Sequence, residues 1–101
     1  MNFVAHREDG RLTCVLSGDL DVYAAVSFEE RLVGSVTPED RDVVVDLAEV
    51  RYVDSSGLGT LVALRKRLER EGKKMILARP SEEVRKLLEL VRLTKVFEIL
   101  S

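Results

Sequence analysis

The sequence predicts an α/β fold, a mixed and mostly parallel sheet of about five strands with an N-terminal β-hairpin and three main helices. The first observation is Asp9-Gly10, a strong hairpin dipeptide that separates two strand-like runs, residues 3–7 and 12–17. The second is that strand-like and helix-like runs alternate from residue 12 onward, which is typical of parallel strands joined by right-handed crossovers. The third is the run 43–47, which suits a strand covered on both faces at the centre of the sheet.

The predicted hairpin has one buried face and one more solvent-exposed face. Leu12, Cys14 and Leu16 alternate with more polar residues, so we expect them to face the core and the first strand to form a sheet edge. Cys14 is the single cysteine and cannot form an internal disulfide, and its place in this alternation predicts a core residue rather than a redox site. His6, on the first strand, is expected to be solvated.

Three stretches have helical periodicity. The first covers residues 22–36 with Asp21 as its N-cap, and the second covers residues 57–71 with Gly72 directly after it. The third follows Ser81, a predicted N-cap, and lies between two further strands, residues 73–78 and 96–100. The apolar residues that predict the buried faces are Ala25, Phe28, Leu32 and Val36, then Leu58, Leu61, Val62, Leu64 and Leu68, then Val84, Leu87, Leu88 and Val91.

The composition indicates one soluble globular domain, residues 1–101. Hydrophobic residues make up 46% of the chain and charged residues 34%, a balance that argues against disorder. The formal net charge of −2 gives no electrostatic sign of direct nucleic-acid binding. The apolar runs are too short for membrane insertion and no secretory signal is visible, so we expect a cytoplasmic protein.

The most informative segment is Asp54-Ser55-Ser56-Gly57-Leu58-Gly59, at the predicted transition from the central strand to the second helix. Serine and aspartate are preferred helix caps, so one interpretation is a helix start and nothing more. The other is a site for an anion such as a phosphoryl group, because the first helical turn has free backbone N–H groups. Gly57 and Gly59 each cost roughly 1 kcal/mol of helix propensity relative to alanine, which suggests close approach by another backbone or a protein surface.

The residues give little support to catalysis, a metal site or a cofactor. A serine hydrolase would need a base near Ser55 or Ser56, and the one histidine, His6, is far away in the sequence. His6 also has no second histidine or cysteine near it in the sequence to complete a metal site. A phosphate-binding loop of the Gly-x-x-x-x-Gly-Lys-Ser/Thr type is absent. We therefore expect a protein that is not an enzyme and that needs neither a metal nor a cofactor.

Several motifs together resemble those of a known family. The run 43–47, then Val53-Asp54-Ser55-Ser56-Gly57-Leu58-Gly59-Thr60-Leu61, then Gly72-Lys73-Lys74-Met75, resembles a STAS domain of the bacterial anti-sigma factor antagonist type. Gly18-Asp19-Leu20-Asp21 is similar to the family's other signature, the Gly-x-Leu-Asp step before its first helix. The resemblance covers nearly the whole chain. One departure is that family members often have a further helix after the last strand, whereas this sequence stops at Ser101.

The resemblance implies a regulatory function in sigma-factor-dependent transcription. In the family, the serine directly after the aspartate, here Ser55, is phosphorylated by the anti-sigma factor, which is also an ATP-dependent serine kinase. The unmodified antagonist binds the anti-sigma factor and releases sigma, whereas the phosphorylated antagonist dissociates until a PP2C-type phosphatase resets it. The positions that the resemblance places at the partner surface are Asp21, Asp54, Ser56, Gly57 and Leu58.

Other interpretations stay open at the level of sequence. The chain could instead be a STAS regulatory subunit of a membrane transport complex, or a subunit of a large stress-signalling assembly. Tyr52, Val53 and Leu58 are either core residues or an apolar patch for the partner, with the acids at its rim. We also expect Ser56 to cap the second helix and the chain to be a monomer or a weak dimer.

Overall fold

The structure is a computed structural model and describes residues 1–101. It contains one five-stranded sheet and three α-helices, with a single 3₁₀ turn, Leu93–Lys95, before the last strand. None of the helices has the length and the apolar composition needed to cross a membrane. The strands are β1 (Asn2–Glu8), β2 (Arg11–Ser17), β3 (Asp42–Glu49), β4 (Lys74–Ala78) and β5 (Glu98–Leu100), and the helices are α1 (Val22–Ser35), α2 (Ser55–Arg70) and α3 (Glu82–Leu90).

The strands lie side by side in the order in which they occur in the sequence. β1 pairs with β2 in an antiparallel hairpin, and its turn residues Asp9 and Gly10 both have positive φ, 51° and 77°. β2, β3, β4 and β5 are parallel to one another, which leaves β3 at the centre and β1 at an edge. The predicted mixed sheet, the hairpin and the three helices are therefore confirmed.

The three helices pack on one face of the sheet. This follows from the strand order, because right-handed crossovers that each add the next strand on the same side put every helix on the same face. The core lies between the helices and that face. Its members include Leu12, Cys14, Leu16, Val43, Val45, Leu47, Met75 and Leu77 from the strands, and Phe28, Leu32, Leu61, Leu64, Leu68, Val84 and Leu88 from the helices.

Cys14 lies in this core with its side chain fully buried. Burial disfavours the charged thiolate and raises the pKa of Cys14 to about 12, so the thiol stays neutral at ordinary pH. The prediction that Cys14 is a core residue is confirmed. His6 lies on the edge strand β1, and its side chain is exposed, as the sequence predicted.

A buried polar cluster fixes the edge of the sheet where the parallel strands begin. Asp40 accepts hydrogen bonds from Arg7 Nε and Nη2 at 2.6 and 2.8 Å, and from the backbone N–H of Thr37 at 2.8 Å. The hydrogen bond from Arg7 is the main reason that the pKa of Asp40 falls to about 2. Lys73, also buried, donates through Nζ to the carbonyl oxygens of Thr37 and Asp40 at 3.0 and 2.6 Å. This cluster secures the loop between α1 and β3, at the end of β3 opposite to Ser55.

The C-terminal boundaries differ from the prediction. α3 ends at Leu90, and Val91 is its C-cap with an exposed side chain, so its predicted place on the buried face was wrong. The 3₁₀ turn Leu93–Lys95 then brings Phe97 into the core, where it is buried. Because this turn occupies the residues after α3, β5 starts at Glu98 and not at residue 96.

Candidate functional site

Two loops meet at the other end of the sheet, where the parallel strands finish. One follows β2 and the other follows β3, and the two are joined by a parallel bridge between Leu20 and Val53. The N–H of Leu20 donates to the carbonyl oxygen of Tyr52 at 2.9 Å, and the N–H of Asp54 donates to the carbonyl oxygen of Leu20 at 3.3 Å. Both loops lead directly into helices, so the bridge places the N-termini of α1 and α2 side by side.

Asp21 caps α1. Its backbone is extended, and its Oδ1 accepts the N–H groups of Tyr23 and Ala24 at 3.1 and 3.0 Å. The bond from Tyr23 satisfies a donor that has no other acceptor in the first helical turn, whereas the N–H of Ala24 also donates to the carbonyl oxygen of Asp21 at 3.1 Å. The predicted role of Asp21 as an N-cap is confirmed.

Asp54 caps α2 and also contacts α1. Its Oδ1 accepts the N–H of Gly57 at 2.9 Å, which is an ordinary N-cap bond, and its Oδ2 accepts the N–H of Val22 at 3.0 Å. The helix therefore begins at Ser55, two residues earlier than predicted. The expectation that Ser56 caps this helix was wrong, because the carboxylate of Asp54 occupies the capping position and Ser56 lies inside the first turn.

Gly57 allows the two loops to come this close. A Cβ atom at this position would overlap the carbonyl oxygen of Leu20 and would lie 2.9 Å from Val53 Cγ1. The close approach of another backbone that the sequence suggested is present here. Gly59 differs, because a Cβ atom there would meet nothing within 4 Å. Packing within the chain gives no reason for the glycine at position 59.

Ser55 is the first residue of α2 and is exposed, whereas Ser56 is only half-exposed. In the first turn of α2, Asp54 accepts the N–H of Gly57 through Oδ1 and the N–H of Leu58 through its carbonyl oxygen. The N–H groups of Ser55 and Ser56 have no acceptor within the helix, as is general for a helix start. A phosphoryl group on Ser55 would therefore lie at the positive end of the helix dipole.

The residues predicted to form an apolar patch separate in the structure. Val53 is buried in the core, Leu58 is half-buried and packs against it, and Tyr52 is exposed. Val53 therefore does not belong to a surface patch. Partner-binding roles for Asp21, Asp54, Ser56, Gly57 and Leu58 stay predictions.

Sequence reasoning missed the exposed apolar residues of α1. Val22, Tyr23 and Val26 are exposed by 53%, 90% and 63% and lie in the first turns of the helix, and the N–H of Val22 donates to Asp54. Their helical positions could have identified them, because they fall opposite the buried face of Ala25 and Phe28. No group of three or more histidine, cysteine, aspartate or glutamate side chains is arranged to hold a metal ion.

The fold and the adjacent N-termini of α1 and α2 define a small α/β domain in which an Asp-Ser-Ser-Gly segment starts the second helix. A family model described as the STAS domain matches residues 2–101. The chain belongs to the STAS domain family and, within it, to the group of bacterial anti-sigma factor antagonists.

Individual relatives agree with this placement. The anti-sigma-B factor antagonist of Staphylococcus epidermidis is 34% identical over 84 residues, which cover 83% of this chain and 78% of the relative. An anti-sigma factor antagonist from Mycobacterium paratuberculosis superposes with a TM-score of 0.86 at 24% identity, over 98% of this chain and 84% of the other. The phosphorylated form of the Bacillus cell fate determinant SpoIIAA superposes with a TM-score of 0.74 at 20% identity, over 99% of this chain and 92% of the other. The two structures share the fold of this chain.

Proposed function

We propose that this chain is an anti-sigma factor antagonist that binds an anti-sigma factor kinase while Ser55 is unmodified and dissociates when Ser55 is phosphorylated. The observation that carries the proposal is the position of Ser55. It is the first residue of α2, it is exposed, and it follows an aspartate that is held in place by two backbone N–H groups. The relatives named anti-sigma-B factor antagonist support the partner class.

The position of Asp54 explains why a phosphate at Ser55 would strongly change the charge of the partner-binding site. Phosphorylation adds about 1.5 to 2 negative charges at neutral pH. The carboxylate of Asp54 cannot turn away without giving up its bonds to Gly57 and Val22, so the new charge would lie next to a fixed one. The helix dipole offsets roughly 0.3–1 kcal/mol of this repulsion, and up to about 2 kcal/mol in a sheltered geometry.

The affinity for the partner would then fall sharply. Each loss of ~1.4 kcal/mol in binding free energy weakens binding tenfold. An acidic or apolar partner surface placed against Ser55 would lose at least this much, because it would have to approach a desolvated phosphate beside the carboxylates of Asp21 and Asp54. A PP2C-type phosphatase would restore binding by removing the phosphate. This exchange would take place in the cytoplasm, and the part of this protein in it would be regulatory rather than catalytic.

The test compares four baits in native lysate: wild type, Ser55→Asp, Ser55→Ala and Lys95→Gln. Lys95→Gln changes the net charge by the same amount as Ser55→Asp, at an exposed position in the turn before β5. We expect an anti-sigma factor with wild type, Ser55→Ala and Lys95→Gln, and none with Ser55→Asp. Mass spectrometry of the wild-type chain should locate phosphate on Ser55. Recovery of the anti-sigma factor in equal amounts with Ser55→Asp would overturn the switch, and recovery of a transporter ATPase instead would overturn the partner.

A further inference from the structure

We propose that β1 is a self-association surface, whose free edge pairs in antiparallel register with β1 of a second copy and joins two five-stranded sheets into one. This pairing does not depend on the proposed function, because it involves the edge of the sheet and not the start of α2. β1 is hydrogen-bonded to β2 on one side, and no strand lies on its other side. The unpaired N–H and C=O groups along such an edge are a template for another strand.

The two edges of the sheet differ in how they are protected against such pairing. The far edge, β5, has only three residues, and a short edge strand is one way in which proteins prevent pairing. β1 has seven residues, contains neither proline nor lysine, and runs beside β2 without a bulge. Its Arg7 side chain is ion-paired within the chain with Asp40, at 2.6 Å. Residues 3–6 of β1 therefore have none of the usual protecting features.

The hairpin turn decides which backbone groups of β1 point outward. The two turn residues both have positive φ, as in the common two-residue hairpin, so Glu8 and Arg11 close the turn as a hydrogen-bonded pair. Hydrogen-bonded and non-hydrogen-bonded pairs alternate along an antiparallel ladder. The residues whose N–H and C=O groups point away from β2 are therefore Phe3, Ala5 and Arg7.

One register pairs the whole of β1. When Ala5 lies opposite Ala5 of the second copy on a two-fold axis, every residue of β1 has a partner, and Phe3 lies opposite Arg7. Each of these outward-facing pairs exchanges two N–H···O bonds. The carbonyl oxygen of Phe3 already accepts Arg31 Nη2 at 3.3 Å, and its second lone pair is available for the new bond. A register centred on a neighbouring residue would leave the end of each strand without a partner.

The side chains fit this register. On the face of the sheet without helices, Val4 lies opposite His6 of the second copy and Asn2 lies opposite Glu8, so no two like charges face each other. Val4 is a large apolar residue in the middle of a strand, yet it is 63% exposed. Pairing would cover it with His6 and with the second copy of Val4, its diagonal neighbour. Ala5, at the axis, is small enough for the two copies to lie side by side.

The expected dimer is weak and leaves the predicted phosphorylation site free. Seven residues per copy fall short of the roughly 20–30 residues on each side of a standard interface, so the pairing should depend on protein concentration. β2 separates β1 from β3, and Ser55 follows β3 at the end of the sheet. Each dimer would therefore present two exposed copies of Ser55.

Sedimentation of the purified full-length chain tests the pairing. The test variant is Ala5→Pro, because proline removes the outward N–H and is tolerated on an edge strand where that N–H makes no bond to the neighbouring strand. The matched control is Ala5→Ser, which keeps both the N–H and the small size. We expect wild type and Ala5→Ser to dimerise as the concentration rises. Ala5→Pro should raise the Kd of the dimer at least tenfold while its circular dichroism spectrum stays that of the folded chain.

Disulfide cross-linking tests the register without proline. The native Cys14 is buried, so an introduced cysteine is the only accessible thiol. Two cysteines at position 5 would have Cα atoms about 5.5 Å apart, which a disulfide can span, whereas two at position 4 would be diagonal neighbours about 7–8 Å apart. We expect Ala5→Cys to form a covalent dimer under mild oxidation. Val4→Cys, and Leu100→Cys on the far edge strand β5, should form at least tenfold less.

Three results would overturn the pairing. The first is a wild-type chain that stays monomeric at its highest soluble concentration, the second is equal dimerisation of Ala5→Pro and Ala5→Ser, and the third is equal cross-linking at positions 4 and 5. If Ala5→Pro does not fold, the cross-linking comparison decides alone. Ser55→Asp should dimerise like wild type whether or not it binds an anti-sigma factor, so failure of the proposed function is distinguishable from failure of the dimer. Loss of the dimer in Ser55→Asp would contradict a contact confined to β1.

Discussion

The carboxylate of Asp54 accepts the backbone N–H of Val22 at 3.0 Å, across 32 positions of sequence, while it caps its own helix. One side chain thus satisfies a donor at the start of α1 and a donor at the start of α2. The two helix N-termini are therefore held side by side at the end of the parallel strands, with Ser55 exposed between the cap and the first turn of α2.

Replacing Asp54 should loosen this corner. In Asp54→Ala, the N–H groups of Gly57 and Val22 both lose their acceptor, and we expect a loss of about 1–2 kcal/mol in the free energy of unfolding. Asp54→Asn keeps one carbonyl oxygen and should lose less. Urea unfolding at neutral pH measures both values. Asp19→Ala is the control, because it also removes a carboxylate and Asp19 is exposed. Equal stability of Asp54→Ala and Asp19→Ala would contradict the bridging role.

Two glycines only two positions apart should respond in opposite directions to alanine. Gly57→Ala places a Cβ atom against the carbonyl oxygen of Leu20. Because this oxygen belongs to the backbone, it cannot readily move aside, and we expect the substitution to destabilise the fold by about 1–3 kcal/mol. Gly59→Ala meets open space and should stabilise it by up to about 1 kcal/mol through helix propensity. Thermal or urea unfolding of the pair checks the difference in sign. Similar changes in the free energy of unfolding in both variants would show that the carbonyl oxygen of Leu20 does not exclude a side chain at position 57.

The stability of the chain should fall in acid through Asp40. Its pKa is lowered from 3.8 to about 2, first by the hydrogen bond from Arg7, so the folded state favours the carboxylate. This contribution is fully present above pH 4 and is lost as the pH falls toward 2. Asp40→Asn should cost about 1–3 kcal/mol at neutral pH, and the difference from wild type should shrink below pH 4. Unfolding free energies measured between pH 2 and 7 test this, and a constant difference over that range would exclude the mechanism.

Phosphorylation of Ser55 should act locally. The modified residue is exposed. We therefore expect amide NMR shifts to change mainly in residues 55–58, the first turn of α2, and near Val22, because the N–H of Val22 donates to Asp54. Resonances of the buried strand β3 should stay in place. Comparison of the two forms by heteronuclear correlation spectra is the measurement. Shifts spread through β3 and α3 would mean that the fold itself rearranges.

Local sequence patterns were sufficient to predict most of the architecture. Asp9-Gly10, the alternation of Leu12, Cys14 and Leu16, and the helical spacing in α1 and α2 depend on residues close together in the chain. These signals reflect the periods of strands and helices, so they can be recognised without knowing what packs against them. The motifs around Asp21 and Asp54 were sufficient in the same way to identify the family.

The tertiary structure decided which of several suitable residues performs each role. Asp54 and Ser56 are both good helix caps, and in the structure Asp54 has this role, while its second carboxylate oxygen accepts the N–H of Val22 at the start of α1. Gly57 and Gly59 look alike in the sequence, yet only Gly57 faces the carbonyl oxygen of Leu20. The burial of Asp40 against Arg7 likewise joins residues 33 positions apart. The physical reason is that hydrogen bonds and steric contacts between distant segments depend on how the helices and strands pack, and a local pattern carries no information about that packing.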